Sequence, residues 1–134
     1  MNWIGHGSAI GLARENVLVN DDVLVMNNGT QLPLFAALTC GAGRFALPGR
    51  QSLSEALVLR EGGGAIAAYS PSGLSINADA VRLNEGLLRS LYLDGQPRIG
   101  DAALDAQWFY KEKPHWRFML DIYGVMGDPA TILH

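Results

Sequence analysis

Leu32-Pro33-Leu34-Phe35-Ala36-Ala37-Leu38-Thr39-Cys40-Gly41-Ala42-Gly43 is the stretch whose reading decides the fold. From Leu32 to Thr39 it carries no charge and no polar alternation, the pattern of a strand covered on both faces of a sheet. Cys40-Gly41-Ala42-Gly43 closes the run. A strand of this kind needs parallel neighbours and helical crossovers. Upstream, Trp3-Ile4 is short and apolar and stops at Gly5-His6-Gly7, as the end of another strand would. Downstream, Ser52-Leu53-Ser54-Glu55 is a capping box opening a helix to about Arg60. Gly62-Gly63-Gly64 ends it, and Ala65-Ile66-Ala67-Ala68-Tyr69 follows as a further buried strand.

Asn77 to Leu93 is predicted as a longer helix. Ala80, Val81, Leu87, Leu88, Leu91 and Tyr92 fall on one face; Arg82, Glu85 and Arg89 fall on the other, spaced to pair. After a turn at Asp94-Gly95-Gln96-Pro97, another helix is expected from near Asp101, carrying Leu104 and Trp108. Trp116, Leu120 and Tyr123 suit one more helix face, with a strand near Ile122 as the alternative. Gly127-Asp128-Pro129 is a turn. There is no internal repeat, low-complexity tract or linker. The sum is a three-layer α/β/α sandwich with a mostly parallel sheet, spanning residues 1–134 as a single unit.

Bulk properties narrow the functions. Hydrophobic residues are 49% of the chain and charged residues 17%, too apolar for a disordered tail. The formal net charge is −3 without any run of Lys or Arg, which points away from nucleic acid and anionic membrane surfaces. No apolar run reaches the roughly 18 residues of a membrane span. A single cysteine excludes an internal disulfide and a Cys-based zinc site. Met1 to Gly7 lacks the basic lead and apolar core of a signal peptide. It runs almost directly into a strand, so the chain is expected to begin within a domain.

His6 and Cys40 each follow a predicted parallel strand and so sit at a carboxyl edge of the sheet, where sites of open α/β sheets collect. The 34 residues between them are about one strand–crossover–strand unit. Neighbouring strands would bring the imidazole and the thiol side by side. The chemistry needs both groups. The thiolate is the attacking species, and an imidazole stabilises it and then protonates the leaving amine. A tetrahedral intermediate needs N–H donors at its oxyanion. The amides of Gly7 and Cys40 are the candidates, since glycine lets backbone approach a substrate carbonyl. Arg44 and the segment Ser70-Pro71-Ser72, after the next strand, are candidates for substrate contact.

Rival assignments of the same residues are weaker. Gly41-Ala42-Gly43-Arg44-Phe45-Ala46 fits G-x-G-x-x-G/A, but Leu47-Pro48-Gly49 precedes any helix start and Ala65–Tyr69 does not end in an acid, so no nucleotide cofactor is expected. Ser8 lies outside a G-x-S-x-G elbow and suits a local turn. Glu55 is the capping partner of Ser52, Asp21 and Asp22 suit the start of a short helix or loop, and Asp128 is a turn residue. His6, His115 and His134 share no ligand-like spacing, so no metal is expected. His115 suits a surface helix start, and His134 is the terminus.

A family resemblance adds to this. Ile4-Gly5-His6-Gly7-Ser8, Leu38-Thr39-Cys40-Gly41, Gly43-Arg44-Phe45, Ser52-Leu53-Ser54-Glu55-Ala56-Leu57, Gly62-Gly63-Gly64-Ala65-Ile66-Ala67, Leu83-Asn84-Glu85 and Met126-Gly127-Asp128-Pro129-Ala130 follow one another as in the gingipain family of cysteine peptidases. The resemblance implies a caspase-like fold, His6 as catalytic histidine, Cys40 as nucleophile, and a peptide or protein substrate. It implies peptide-bond hydrolysis, or the sortase-like transpeptidation of some relatives, and an exported bacterial parent. In that family further strands and helices precede the Gly-His-Gly segment, supplying more sheet, part of the pocket and an acid that orients the histidine. The chain therefore corresponds to the later part of such a domain. The alternative to an enzyme is a non-catalytic piece that pairs with an upstream segment or with itself.

Overall fold

A computed structural model of the chain describes residues 1–112 and 116–133; His115 and His134 lie outside the described residues. The elements in chain order are β1 (Asn2–Ile4), β2 (Gly11–Leu12), β3 (Leu18–Val19), α1 (Asn20–Val25), β4 (Leu34–Leu38), α2 (Leu53–Leu59), β5 (Ala67–Pro71), α3 (Asn77–Tyr92), α4 (Ile99–Lys111), α5 (Phe118–Ile122) and β6 (Tyr123–Met126). The main sheet has the order β1-β4-β5-β6. β1, β4 and β5 are parallel, and β6 returns antiparallel to β5. The expectation of a mostly parallel α/β sheet holds.

β4 shows why the apolar run had no alternation. Phe35 and Ala37 pack with Val23, Leu53, Leu57 and Ala68 on one face; Ala36 and Leu38 pack with Leu83, Leu87, Ala102 and Ala106 on the other. Each face is covered by helices, α1 and α2 on one side and α3 and α4 on the other, so every position from Phe35 to Leu38 is a core position. A leucine as deeply buried as Leu38 contributes roughly 1.5–3 kcal/mol. No helix among the described residues is long and apolar enough to cross a membrane.

The capping box forms as read: the Ser52 hydroxyl accepts from the Glu55 N–H at 3.3 Å, and Glu55 Oε2 accepts from the Ser52 N–H at 2.8 Å. Asp22 has a similar local duty, accepting from the Val19 N–H at 2.9 Å to start α1. The Gly127–Pro129 turn is closed by Asp128, whose Oδ1 accepts from the Ala130 N–H at 2.9 Å.

Three expectations are corrected. The strand read at 65–69 runs Ala67–Pro71. The buried face of α3 keeps Ala80 and Leu87 of the one read but is completed by Leu83, Asn84, Gly86 and Ser90, while Val81 and Tyr92 are exposed. The cause is close packing on α4, where a Cβ on Gly86 would meet Ala106 Cα at 2.9 Å. Small and polar residues occupy that seam, with Ser90 donating to Asp105 at 2.7 Å, so a hydrophobicity count misplaces it. Leu104 and Trp108 of α4 are likewise exposed. Finally, both alternatives near Ile122 are realised in succession, a short α5 running straight into β6.

Candidate active site

β1 and β4 pair with a constant offset of 34 residues: Asn2 lies opposite Ala36, Trp3 opposite Ala37 and Ile4 opposite Leu38. The Gly5 N–H carries the ladder one step further, donating to the Leu38 carbonyl at 3.4 Å. His6 and Cys40 each stand two residues beyond this paired end, Ile4 and Leu38. Both residues line one cavity of about 280 Å³, with Gly5, Leu38, Thr39, Ser75 and Asn77 completing its wall.

The His6 side is a loop fixed through backbone. The His6 carbonyl accepts from the Ala13 N–H at 2.9 Å and from Trp3 Nε1 at 3.2 Å. The Ser8 N–H donates to the Gly11 carbonyl at 2.8 Å. These bonds tie the loop to the small β2–β3 hairpin. That hairpin is invisible to a periodicity reading because each strand has only two residues. His6 is exposed, and among the described residues no carboxylate pairs with its imidazole. Glycine at position 7 has a steric cause besides the one read from sequence: a Cβ there would meet Thr39 Oγ1 at 2.5 Å. The loop thus lies directly on the residue that precedes the cysteine.

Cys40 is half-buried and lines the cavity. The Ser75 N–H donates to Sγ at 3.4 Å, and the thiol donates to the Ser75 carbonyl at 3.6 Å. Ser75 stands just before α3, a 16-residue helix whose first residue, Asn77, lines the same cavity. Gly41 takes a left-handed conformation (φ 61°) that turns the chain away behind the sulfur, and its N–H donates to the Gly73 carbonyl at 2.9 Å. Among the described residues neither the Gly7 nor the Cys40 amide has a hydrogen-bond acceptor, and of the two only Cys40 lines the cavity.

The substrate-contact candidates sit elsewhere. Ser70 is buried and its hydroxyl is shared with Ser54 at 2.7 Å. Pro71 is buried in β5, and the Ser72 hydroxyl donates to the Ile122 carbonyl at 3.2 Å. None of the three lines the cavity; the loop beyond them does, through Ser75 and Asn77. β5 lies between β4 and β6, so its last residues pack while the loop emerging from it reaches the edge. Arg44 is exposed in a tight turn whose N–H donates to the Gly41 carbonyl. That turn, and the absence of a helix before Leu53, removes the dinucleotide pattern from Gly41–Ala46.

Ser75 and Tyr123 are the residues that sequence reading missed. The Tyr123 hydroxyl is 2.9 Å from Ser75 Oγ and donates to the Thr39 carbonyl at 3.5 Å. Its pKa is pushed up to about 12, chiefly by burial, with the Cys40 charge adding to the rise and the Ser75 hydrogen bond opposing it. The position of Ser75 at the carboxyl edge, between a parallel strand and a helix, was an available signal. Nothing in the sequence signals Tyr123.

The fold is α/β, with a mostly parallel sheet and the candidate groups gathered at one end of its strands. The chain belongs to peptidase family C25, whose model it matches over residues 1–134. Among solved structures it is similar to the Arg-specific cysteine proteinase gingipain R, at 22% identity and a TM-score of 0.87, over 98% of this chain and 32% of that one. It is similar to a complex of Porphyromonas gingivalis RgpB pro- and mature domains at 21% identity and a TM-score of 0.81, covering 98% of this chain and 33% of that one. A structure described only as a protease is 16% identical with a TM-score of 0.83, covering 98% of this chain and 34% of that one. The chain thus spans about a third of the length of these structures, and the likeness carries the fold. No curated protein sequence matches it.

Proposed function

We propose that the chain carries the catalytic pair of a cysteine endopeptidase, with Cys40 as nucleophile and His6 as acid–base partner. The observation that supports this most directly is that both residues, each two positions beyond a paired strand end, line one cavity. In this reading the Cys40 thiolate attacks the scissile carbonyl carbon, and the amides of Gly7 and Cys40 hold the resulting oxyanion. The C–N bond breaks as the imidazolium gives its proton to the leaving amine. Water, deprotonated by the neutral imidazole, then attacks the thioester and releases the acid, and the proton returns to sulfur. An amine in place of that water gives transpeptidation instead of hydrolysis.

Labelling with an electrophilic peptide, such as an acyloxymethyl ketone, tests the assignment. Cys40 should be modified in the parent, and His6→Ala should lower the labelling rate at neutral pH by about 10²-fold or more. Equal labelling of Cys40 in parent and variant counts against the pair.

A second reading is favoured by a different observation. The outer edge of β1 is unpaired among the described residues, and a 490 Å³ cavity beside it is lined by Met1, Leu34, Leu87, Leu91 and Pro97. An open strand edge next to apolar surface is a template for another chain. In this reading the chain is inert until a further polypeptide segment, or a second copy, pairs with β1. The pro- and mature-domain complex among the similar structures is consistent with such pairing. Light scattering at rising concentration separates the two readings: a monomer that labels at Cys40 supports the first, and self-association without labelling supports the second.

A further inference from the structure

We propose that Tyr123 and Ser75 are positioning residues for Cys40, forming a clamp in which the phenol fixes Ser75 so that its backbone N–H holds the sulfur as a thiolate. The inference rests on Cys40 being the nucleophile. Its basis is a closed ring of contacts. Thr39 is joined to Cys40 by the chain, and Cys40 Sγ accepts from the Ser75 N–H at 3.4 Å. Ser75 Oγ meets Tyr123 Oη at 2.9 Å, and Tyr123 Oη returns to the Thr39 carbonyl at 3.5 Å. One hydroxyl therefore touches both the residue before the nucleophile and the residue that binds its sulfur.

Ionisation changes the ring in one direction. In the thiol form Sγ donates to the Ser75 carbonyl and accepts from the Ser75 N–H. Loss of the proton removes the first bond and strengthens the second, because a hydrogen bond to a charged acceptor is the stronger kind. A donor held in advance favours the charged form and needs no rearrangement. The phenol is well placed to hold it. Tyr123 is 3% exposed, and its ring is backed by Tyr69 at a centroid separation of 5.5 Å, so it has little freedom to leave. Without the phenol, Ser75 Oγ keeps, among the described residues, only Met119 Sδ, at 3.9 Å.

The titratable groups around the sulfur are His6 across the cavity, Tyr123 beneath it with Tyr69 behind, and Asp79 on the first turn of α3, which is hydrogen-bonded to Tyr110. The test is the pH dependence of Cys40 alkylation by iodoacetamide in the full chain, repeated in a His6→Ala background to remove the imidazole. Tyr123→Phe keeps the ring and deletes the hydroxyl. It should move the alkylation midpoint up by about half a pH unit or more. Ser75→Ala breaks the same link from the other end, and should reproduce the shift. Ser75→Thr, which keeps a hydroxyl, should restore most of the parent profile.

Unchanged midpoints in Tyr123→Phe and Ser75→Ala, with folding verified by thermal melts, overturn the clamp. An equal shift in all three variants, Ser75→Thr included, overturns it too, since general loosening would then be the cause. Failure of the nucleophile assignment reads differently: Cys40→Ala would retain peptidase activity whatever the alkylation profiles show.

Discussion

The two strand ends that meet at the cavity are built by different means. The loop after β1 presents His6 through backbone bonds to a hairpin, and its imidazole is exposed. The loop after β4 presents Cys40 half-buried, bracketed by Ser75 and backed by Tyr123 from the far side of the sheet. The difference teaches where precision resides. The sulfur is seated by groups from the β4 end, the loop before α3 and β6, whereas among the described residues no carboxylate pairs with the exposed imidazole. Under the proposed roles, a base that exchanges protons with both sulfur and substrate suits the looser mounting, and a nucleophile that meets a carbonyl within a few tenths of an ångström suits the tighter one.

The largest effect that could break this comparison is functional. Cys40→Ala and His6→Ala should each lower kcat/KM on a cleaved peptide by about 10³-fold or more, and the double variant should lose little beyond that, because the two act as a unit. Additive losses would mean that the ends work independently. Next comes Gly7→Ala, which drives a methyl into Thr39. It should cost about 1–3 kcal/mol in a urea melt and displace the histidine loop, cutting turnover about 10-fold or more. Thr39→Ala should relieve much of that loss, and failure to do so would place the strain elsewhere.

A third prediction concerns alkaline pH. Burial raises the folded-state pKa of Tyr123 to about 12 from an ordinary 10.0, and Tyr69 is raised as well. The fold therefore favours the neutral phenols, and unfolded chains release those protons first. Stability should be fully present below pH 10 and fall between pH 10 and 12 by about 1.4 kcal/mol per pH unit per phenol at most. Melting temperatures across that window measure it, and Tyr123→Phe should flatten the fall. A fall of the same size in Tyr123→Phe would remove that phenol from the account. The smallest effect sharpens the comparison by leaving the site alone: Ser52→Ala should cost about 1 kcal/mol of stability without changing the Cys40 labelling rate.

What could be read in the sequence was set by chemistry close along the chain. β4 was legible because both of its faces are core, and α2 because Ser52 and Glu55 cap each other three residues apart. The placement of His6 and Cys40 at neighbouring strand ends was legible from their spacing and from the glycines that follow them. The inner face of α3 was not, because its contact with α4 is made by Gly86 and polar groups. Nor was the Ser75–Tyr123 contact, which joins residues 48 apart and depends on β6 running antiparallel. Substrate contact was read onto the end of β5 because strand ends are recognisable, while the wall of the cavity comes from the loop after it.

The constant β1–β4 offset separates loop length from site geometry. Residues added at the exposed hairpin tip, Arg14–Val17, would widen the gap in numbering and leave intact both the β1–β4 register and the Ala13–His6 and Ser8–Gly11 bonds that fix the histidine loop. One residue added between Leu38 and Cys40 would move the sulfur relative to that register. Grafted epitopes or reporter peptides therefore belong at the tip, and a deletion scan should find tolerance there and none in the two residues that follow each strand.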